Sequence, residues 1–132
     1  ARNAAEWGPR AKKMGVKIFT MADVEREGIQ AIAEKARELA SPNGVPPYVS
    51  VDVDGIDPAY APATNSPEPG GLTSREIITA IREVASQAVS GFDVVEVSPE
   101  YDNASGTTSI LAARLMEEVL CAIAAVRRNA PT

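Results

Sequence analysis

The stretch Tyr48–Leu72, Y-V-S-V-D-V-D-G-I-D-P-A-Y-A-P-A-T-N-S-P-E-P-G-G-L, constrains this chain more than any other. It opens as a strand and closes as a loop. Val49, Val51 and Val53 are β-branched and suit a pleated, half-buried surface. Ser50, Asp52 and Asp54 alternate with them, so period two places the three polar residues on one strand face. Carboxylates are costly to bury unpaired. Asp52 and Asp54 therefore need water, a cation or a strong donor. Gly55 stops the strand, and Asp57-Pro58, Pro62, Pro67 and Pro69-Gly70-Gly71 hold an extended loop. Two acids at the carboxyl end of a strand before a rigid loop suit a hard or borderline metal ion. The same alternation also describes an exposed strand with one wet face, and spacing alone does not separate the two. A calcium loop does not fit, because the twelfth position counted from Asp52 is Ala63, where that loop requires a bidentate Glu.

The rest of the chain alternates helical and strand patterns. Arg2–Met14 reads as a helix, with Pro9 delaying or kinking its start and Gly15 ending it. Val16–Thr20 reads as a short strand. A helical region opened by Asp23 and Glu25 runs to about Ala40, and Gly28 weakens its middle enough to split it. Ser41–Pro47 is a loop. Thr73 and Glu76 form a capping box that starts a helix reaching about Ser90. Phe92–Val97 is the next strand, ended by Ser98-Pro99. A loop from Glu100 to Gly106 leads to a final helix from Thr107 or Thr108 to about Arg128, where Arg127 and Arg128 complement its dipole. The order α-β-α-β-α-β-α predicts an α/β fold with a parallel sheet. Three strands leave both sheet edges open, so the sheet reads as incomplete.

In such sheets ligands bind outside the carboxyl ends of the strands. Two acidic groups arrive there: Asp52, Asp54 and Asp57 from one strand, and Glu96 with Glu100 and Asp102 from the other. By its residue type alone, Glu96 reads as a salt-bridged strand residue.

At this point the residues carry a resemblance. Ser50–Pro58 (S-V-D-V-D-G-I-D-P), Ala61–Thr73 (A-P-A-T-N-S-P-E-P-G-G-L-T) and Asp93–Asp102 (D-V-V-E-V-S-P-E-Y-D) resemble the signatures of the ureohydrolases, the family of arginase, agmatinase and guanidino-acid hydrolases. The resemblance implies an arginase-like three-layer α/β/α fold, of which this chain is the C-terminal half. It implies that Asp52 bridges two manganese ions, that Asp54 binds one of them, and that Glu96 meets a guanidinium. Ser66 joins Glu96 on the substrate side. Two such cations lower the pKa of bound water and supply a nucleophile for the guanidinium carbon, releasing urea. Asp57, Pro58, Pro67, Gly70 and Gly71 become loop architecture. Asn65-Ser66 replaces the family's usual Gly-Thr; Asn tolerates a left-handed turn and Ser keeps the hydroxyl. Glu100 stands where agmatinase-like sequences often have Pro, which bears on substrate identity. The family's remaining metal ligands lie in upstream Gly-Gly-Asp-His and Asp-Ala-His-x-Asp stretches, and this chain has no His. The chain by itself is therefore expected to be inactive and to need the N-terminal half of the domain. A non-catalytic family remnant or structural subunit is the alternative.

Composition narrows the partners. Thirteen basic and 18 acidic residues give a net charge of −5 without a basic stripe, which argues against nucleic acid as a partner and is compatible with a small cationic guanidino substrate. No apolar run approaches the roughly 20 residues that span a membrane. The single Cys121 lies in an apolar helical run and reads as a buried small hydrophobe. A cytoplasmic homo-oligomer is expected, with a mitochondrial location as the alternative.

Overall fold

The computed structural model describes residues 6–128. Residues 2–5 of the expected first helix lie outside that range. Helix α1 (Trp7–Lys13) carries Pro9 in its first turn, where a missing N–H costs nothing. The expected helix from Asp23 to Ala40 is two helices, α2 (Met21–Glu27) and α3 (Ile29–Ala40). The break is Gly28, at φ +83°, a conformation other residues rarely adopt. Thr20 caps α2 rather than ending a strand: its hydroxyl accepts from the Asp23 N–H, and the Asp23 carboxylate accepts from the Thr20 N–H.

Strand β1 (Tyr48–Asp52), helix α4 (Ser74–Val84) and strand β2 (Gly91–Val95) form a βαβ unit, followed by helix α5 (Thr107–Arg128). The strands pair in parallel from Tyr48 with Gly91 to Asp52 with Val95. Helix α4 opens on the expected Thr73/Glu76 capping box but ends at Val84, six residues early. The chain must unwind there to enter β2 beside β1, and the Ser90 N–H already donates to the Pro47 carbonyl at 2.9 Å.

The core lies on one face of this sheet. Val51, Val53 and Ile56 pack with Ile77 and Ile81 of α4, with Ala85 just past its end, and with Leu111, Leu115 and Val119 of α5. The four-residue spacing along α5 is one helical stripe. Cys121 falls off that stripe and is exposed, contrary to the sequence reading. Helix α3 packs beside α4, where Arg37 and Glu83 form an ion pair. The other sheet face stays open: Tyr48 is 63% exposed and Val95 37%. On that face the Ser50 hydroxyl donates to the Asp93 carboxylate at 2.6 Å, and the Tyr48 hydroxyl donates to its second oxygen. The described residues thus build a parallel sheet and the helices of one flank, a partial α/β fold.

One expected strand is absent. Val16–Thr20 is not part of a ladder, and Val16 and Ile18 are half-exposed. A strand exists only by pairing, and nothing among the described residues lies alongside this segment to pair with it. Between it and the end of β1 lies a groove of about 340 Å³, walled by Phe19, Val24 and Ile32 on one side and by Asp54, Gly55 and Leu72 on the other.

Candidate functional site

Strand β1 ends at Asp52, two residues earlier than its alternation predicts. Residues Val53–Gly55 form a single tight helical turn, capped by Asp52, whose Oδ1 accepts the Asp54 N–H at 2.9 Å. The turn takes Asp54 off the wet strand face that it was expected to share with Ser50 and Asp52. Its carboxylate instead meets Thr64, whose hydroxyl donates to Oδ1 of Asp54. Thr64 is 5% exposed. Its oxygen also accepts the Ser66 N–H at 3.3 Å. Asp52, Asp54, Thr64 and Ser66 are therefore joined in one chain of hydrogen bonds.

The loop that carries Thr64 is held from three directions. Asp57 accepts the Ala59 N–H at 2.8 Å and the Gly70 N–H at 2.7 Å, and these two bonds hold its carboxyl below the usual range. Gly71 lies against the turn after β1: a Cβ there would stand 2.7 Å from the Gly55 carbonyl oxygen. Only a glycine permits that approach, which lets Leu72 donate to Gly55 and accept from Asp57. At the loop's centre Ala63, fully buried, donates its N–H to the buried Thr108 hydroxyl at 2.9 Å.

Glu96 lies one residue beyond Val95, the register partner of Asp52, so both acids sit at the carboxyl ends of neighbouring strands. Its backbone is left-handed, at φ +63°, and β2 ends at Val95, two residues before the expected end at Val97. Its side chain is exposed. The next residue but one, Ser98, returns to the β1 loop. Its N–H donates to the Ala63 carbonyl at 3.0 Å and its hydroxyl accepts from the Asn65 amide at 3.1 Å. Asn65 is not left-handed, so its side chain and not its tolerance of positive φ is what this structure uses.

Of the other acids near the strand ends, Glu100 is exposed in the turn Pro99–Tyr101. Asp102 turns away to cap α5, accepting the N–H groups of Thr108 and Ser109 and the Ser109 hydroxyl. Burial pushes its carboxyl up, but the bonds from Ser109, Thr108 and Asn103 outweigh it and hold the group at about 2. Thr64, Asn65 and Ser98 were not singled out by sequence reasoning as contact residues. Nothing in their local pattern marks them; only the approach of two distant loops does.

Asp52 and Asp54 offer hard oxygen donors of the kind that hold manganese or magnesium. Among the described residues, no group of three or more His, Cys, Asp or Glu comes together to hold a metal ion. The two acids fit part of such a site.

Comparison with known proteins places these motifs. The profile described as the arginase family matches residues 2–122. The chain belongs to the arginase family. It is 43% identical over 119 residues to proclavaminate amidinohydrolase of Streptomyces clavuligerus, covering 90% of this chain and 37% of that protein. It is 39% identical over 119 residues to guanidinobutyrase of Pseudomonas aeruginosa, covering 90% of this chain and 36% of that protein. Among solved structures, arginase from Bacillus caldovelox superposes with a TM-score of 0.81 at 32% identity, over 89% of this chain and 40% of that one. The chain thus spans little more than a third of these two relatives. The fold is arginase-like, and its two strands with their flanking helices are part of it. No helix among the described residues is long and apolar enough to cross a membrane.

Proposed function

We propose that this chain supplies part of the active site of a manganese-dependent hydrolase that cleaves a guanidino compound to urea and an amine. The observation that carries the reading is the register of the two strands, which sets Asp52 beside the residue preceding Glu96. In this reading Asp52 and Asp54 hold manganese through carboxylate oxygens, and Thr64 fixes the orientation of Asp54. Glu96 accepts the N–H groups of the substrate guanidinium, and Ser66 lies on the same side. When bound, manganese supplies Lewis acidity and lowers the pKa of a water nucleophile. The remaining ligands come from an N-terminal part of the same domain. The unpaired Val16–Thr20 segment and the groove beside β1 support that arrangement, since both fit additional strands. Agmatine, arginine and guanidino acids such as guanidinobutyrate are the candidate substrates.

The test is Asp54→Ala in the full-length protein. Manganese content and urea release should both collapse while the thermal melt changes little, because Asp54 is a ligand and not part of the apolar core. Near-normal metal content and turnover would refute the assignment. A second reading, a non-catalytic family member kept for subunit contacts, is favoured by the exposed Ile110 and Leu120 of α5, 65% and 62% accessible. Urea release by the full-length protein separates the two.

A further inference from the structure

We propose that Asn65 is a positioning residue for Glu96, acting through Ser98; this rests on the reading of Glu96 as the guanidinium acceptor. Glu96 and Asn43 are the described non-glycine residues at positive φ. A left-handed conformation is unfavourable for a residue with a Cβ, and it persists only where its surroundings over-determine it. On one side Glu96 is held by the pairing of Val95 with Asp52. On the other, Val97 packs against the core and Ser98 is 6% exposed.

Two of the bonds that hold Ser98 tie it to the β1 loop; a third, from the Tyr101 N–H to its carbonyl at 2.9 Å, closes its own turn. Its N–H reaches the Ala63 carbonyl at 3.0 Å and its hydroxyl accepts from Asn65 Nδ2 at 3.1 Å. That loop is itself fixed, by the bond from Ala63 to the fully buried Thr108. Asn65 also directly follows Thr64, which holds Asp54. One dipeptide therefore locks both halves of the site: Thr64 orients the acid on the metal side, and Asn65 pins the turn that aims the acid on the substrate side. A glycine at position 65 would have no amide to offer Ser98. The bond is thus a feature of this chain's own side chain, and it ties the turn that carries Glu96 to the loop that carries Thr64.

The test uses the full-length protein with agmatine, arginine and guanidinobutyrate as probes. Asn65→Ala and Ser98→Ala should each lower kcat/KM by about two- to tenfold, the worth of one neutral hydrogen bond, mainly through KM. Manganese content should not change. In a Glu96→Gln background, Asn65→Ala should have almost no further effect, because the residue it positions has lost its charge. A lower melting temperature with unchanged KM would overturn the proposal and leave Asn65 merely structural. Effects of Asn65→Ala that multiply fully with those of Glu96→Gln would overturn it as well, while leaving the role of Glu96 intact. If Glu96→Gln alone left kinetics unchanged, the reading of Glu96 would fall, and this inference with it. Should Asn65→Ala fail to fold, Ser98→Ala carries the same comparison, since it keeps the backbone bond to Ala63.

Discussion

Thr64→Val removes one hydroxyl and almost nothing else. The side chain is 5% exposed and valine has nearly its shape, so no cavity opens. What is lost is the bond to Oδ1 of Asp54, together with the acceptor for the Ser66 N–H at 3.3 Å. The second is long and serves a partly exposed group, so the first dominates. A hydrogen bond to a charged group is worth roughly 1.5–3 kcal/mol. Outer partners of metal-ligating carboxylates typically contribute about 10–100-fold in metal affinity, and at ~1.4 kcal/mol per decade the two ranges coincide. The expected result is therefore a rise of about 10–100-fold in the manganese dissociation constant of the full-length protein. Titration of the metal-stripped protein, with free manganese followed by electron paramagnetic resonance, measures it. Thr64→Ser should restore affinity, because it restores the donor. If Thr64→Val bound manganese like the parent while Asp54→Ala did not, the reasoning that the hydroxyl orients the ligand would be refuted.

Two further outcomes follow from the same geometry. Glu96→Gln should lower kcat/KM by at least about tenfold with manganese content unchanged, since roughly 1.5–3 kcal/mol attaches to a hydrogen bond with a charged partner; loss of metal would instead make Glu96 a ligand. Asp102 carries a pH signature. Its folded value of about 2 lies below the ordinary 3.8, so the folded state holds the carboxylate while the unfolded state takes up a proton. Its contribution is complete above about pH 4 and fades as pH falls towards 2. Denaturation midpoints measured across that window should fall less steeply for Asp102→Asn than for the parent; identical slopes would remove Asp102 as the cap of α5.

The parts of the fold that were legible in the sequence are those decided locally. Thr73 and Glu76 are three apart and cap a helix wherever one follows. Gly28 splits a helix because its own φ demands it. The parallel pairing of β1 and β2 follows from strands separated by a helix. Val16–Thr20 failed for the opposite reason. Its alternation and β-branched residues describe a strand, but a ladder needs a partner, and no local pattern states whether one is alongside. Thr20 and Asp23 also satisfy each other as a capping box, which commits the end of the segment to the next helix. The apolar run around Cys121 predicts burial, but α5 buries only the Leu111–Leu115–Val119 stripe and exposes residues that lie off it, Cys121 among them.

The acids divide along the same line. Seen as sequence, Asp52, Asp54, Asp57, Glu96, Glu100 and Asp102 are six carboxylates near strand ends. What separates them is how much hydrogen bonding each already receives. Asp57 has two backbone donors, and Asp102 has backbone donors and a hydroxyl; both are depressed in pKa and turned into their own loops. A cation at either would compete with bonds that hold the fold, so neither has capacity to spare. Asp52 and Asp54 each spend one oxygen on a single local donor. Glu96, exposed on a left-handed turn, is aimed by its backbone and anchored by its neighbours, not by bonds to its own carboxylate. Donor counting thus leaves acceptor capacity on Asp52 and Asp54 at the end of β1, and on the exposed Glu96 and Glu100 after β2. In the proposed reading that count sets Asp57 and Asp102 aside as parts of the fold and leaves Asp52, Asp54 and Glu96 able to meet a divalent cation and a guanidinium.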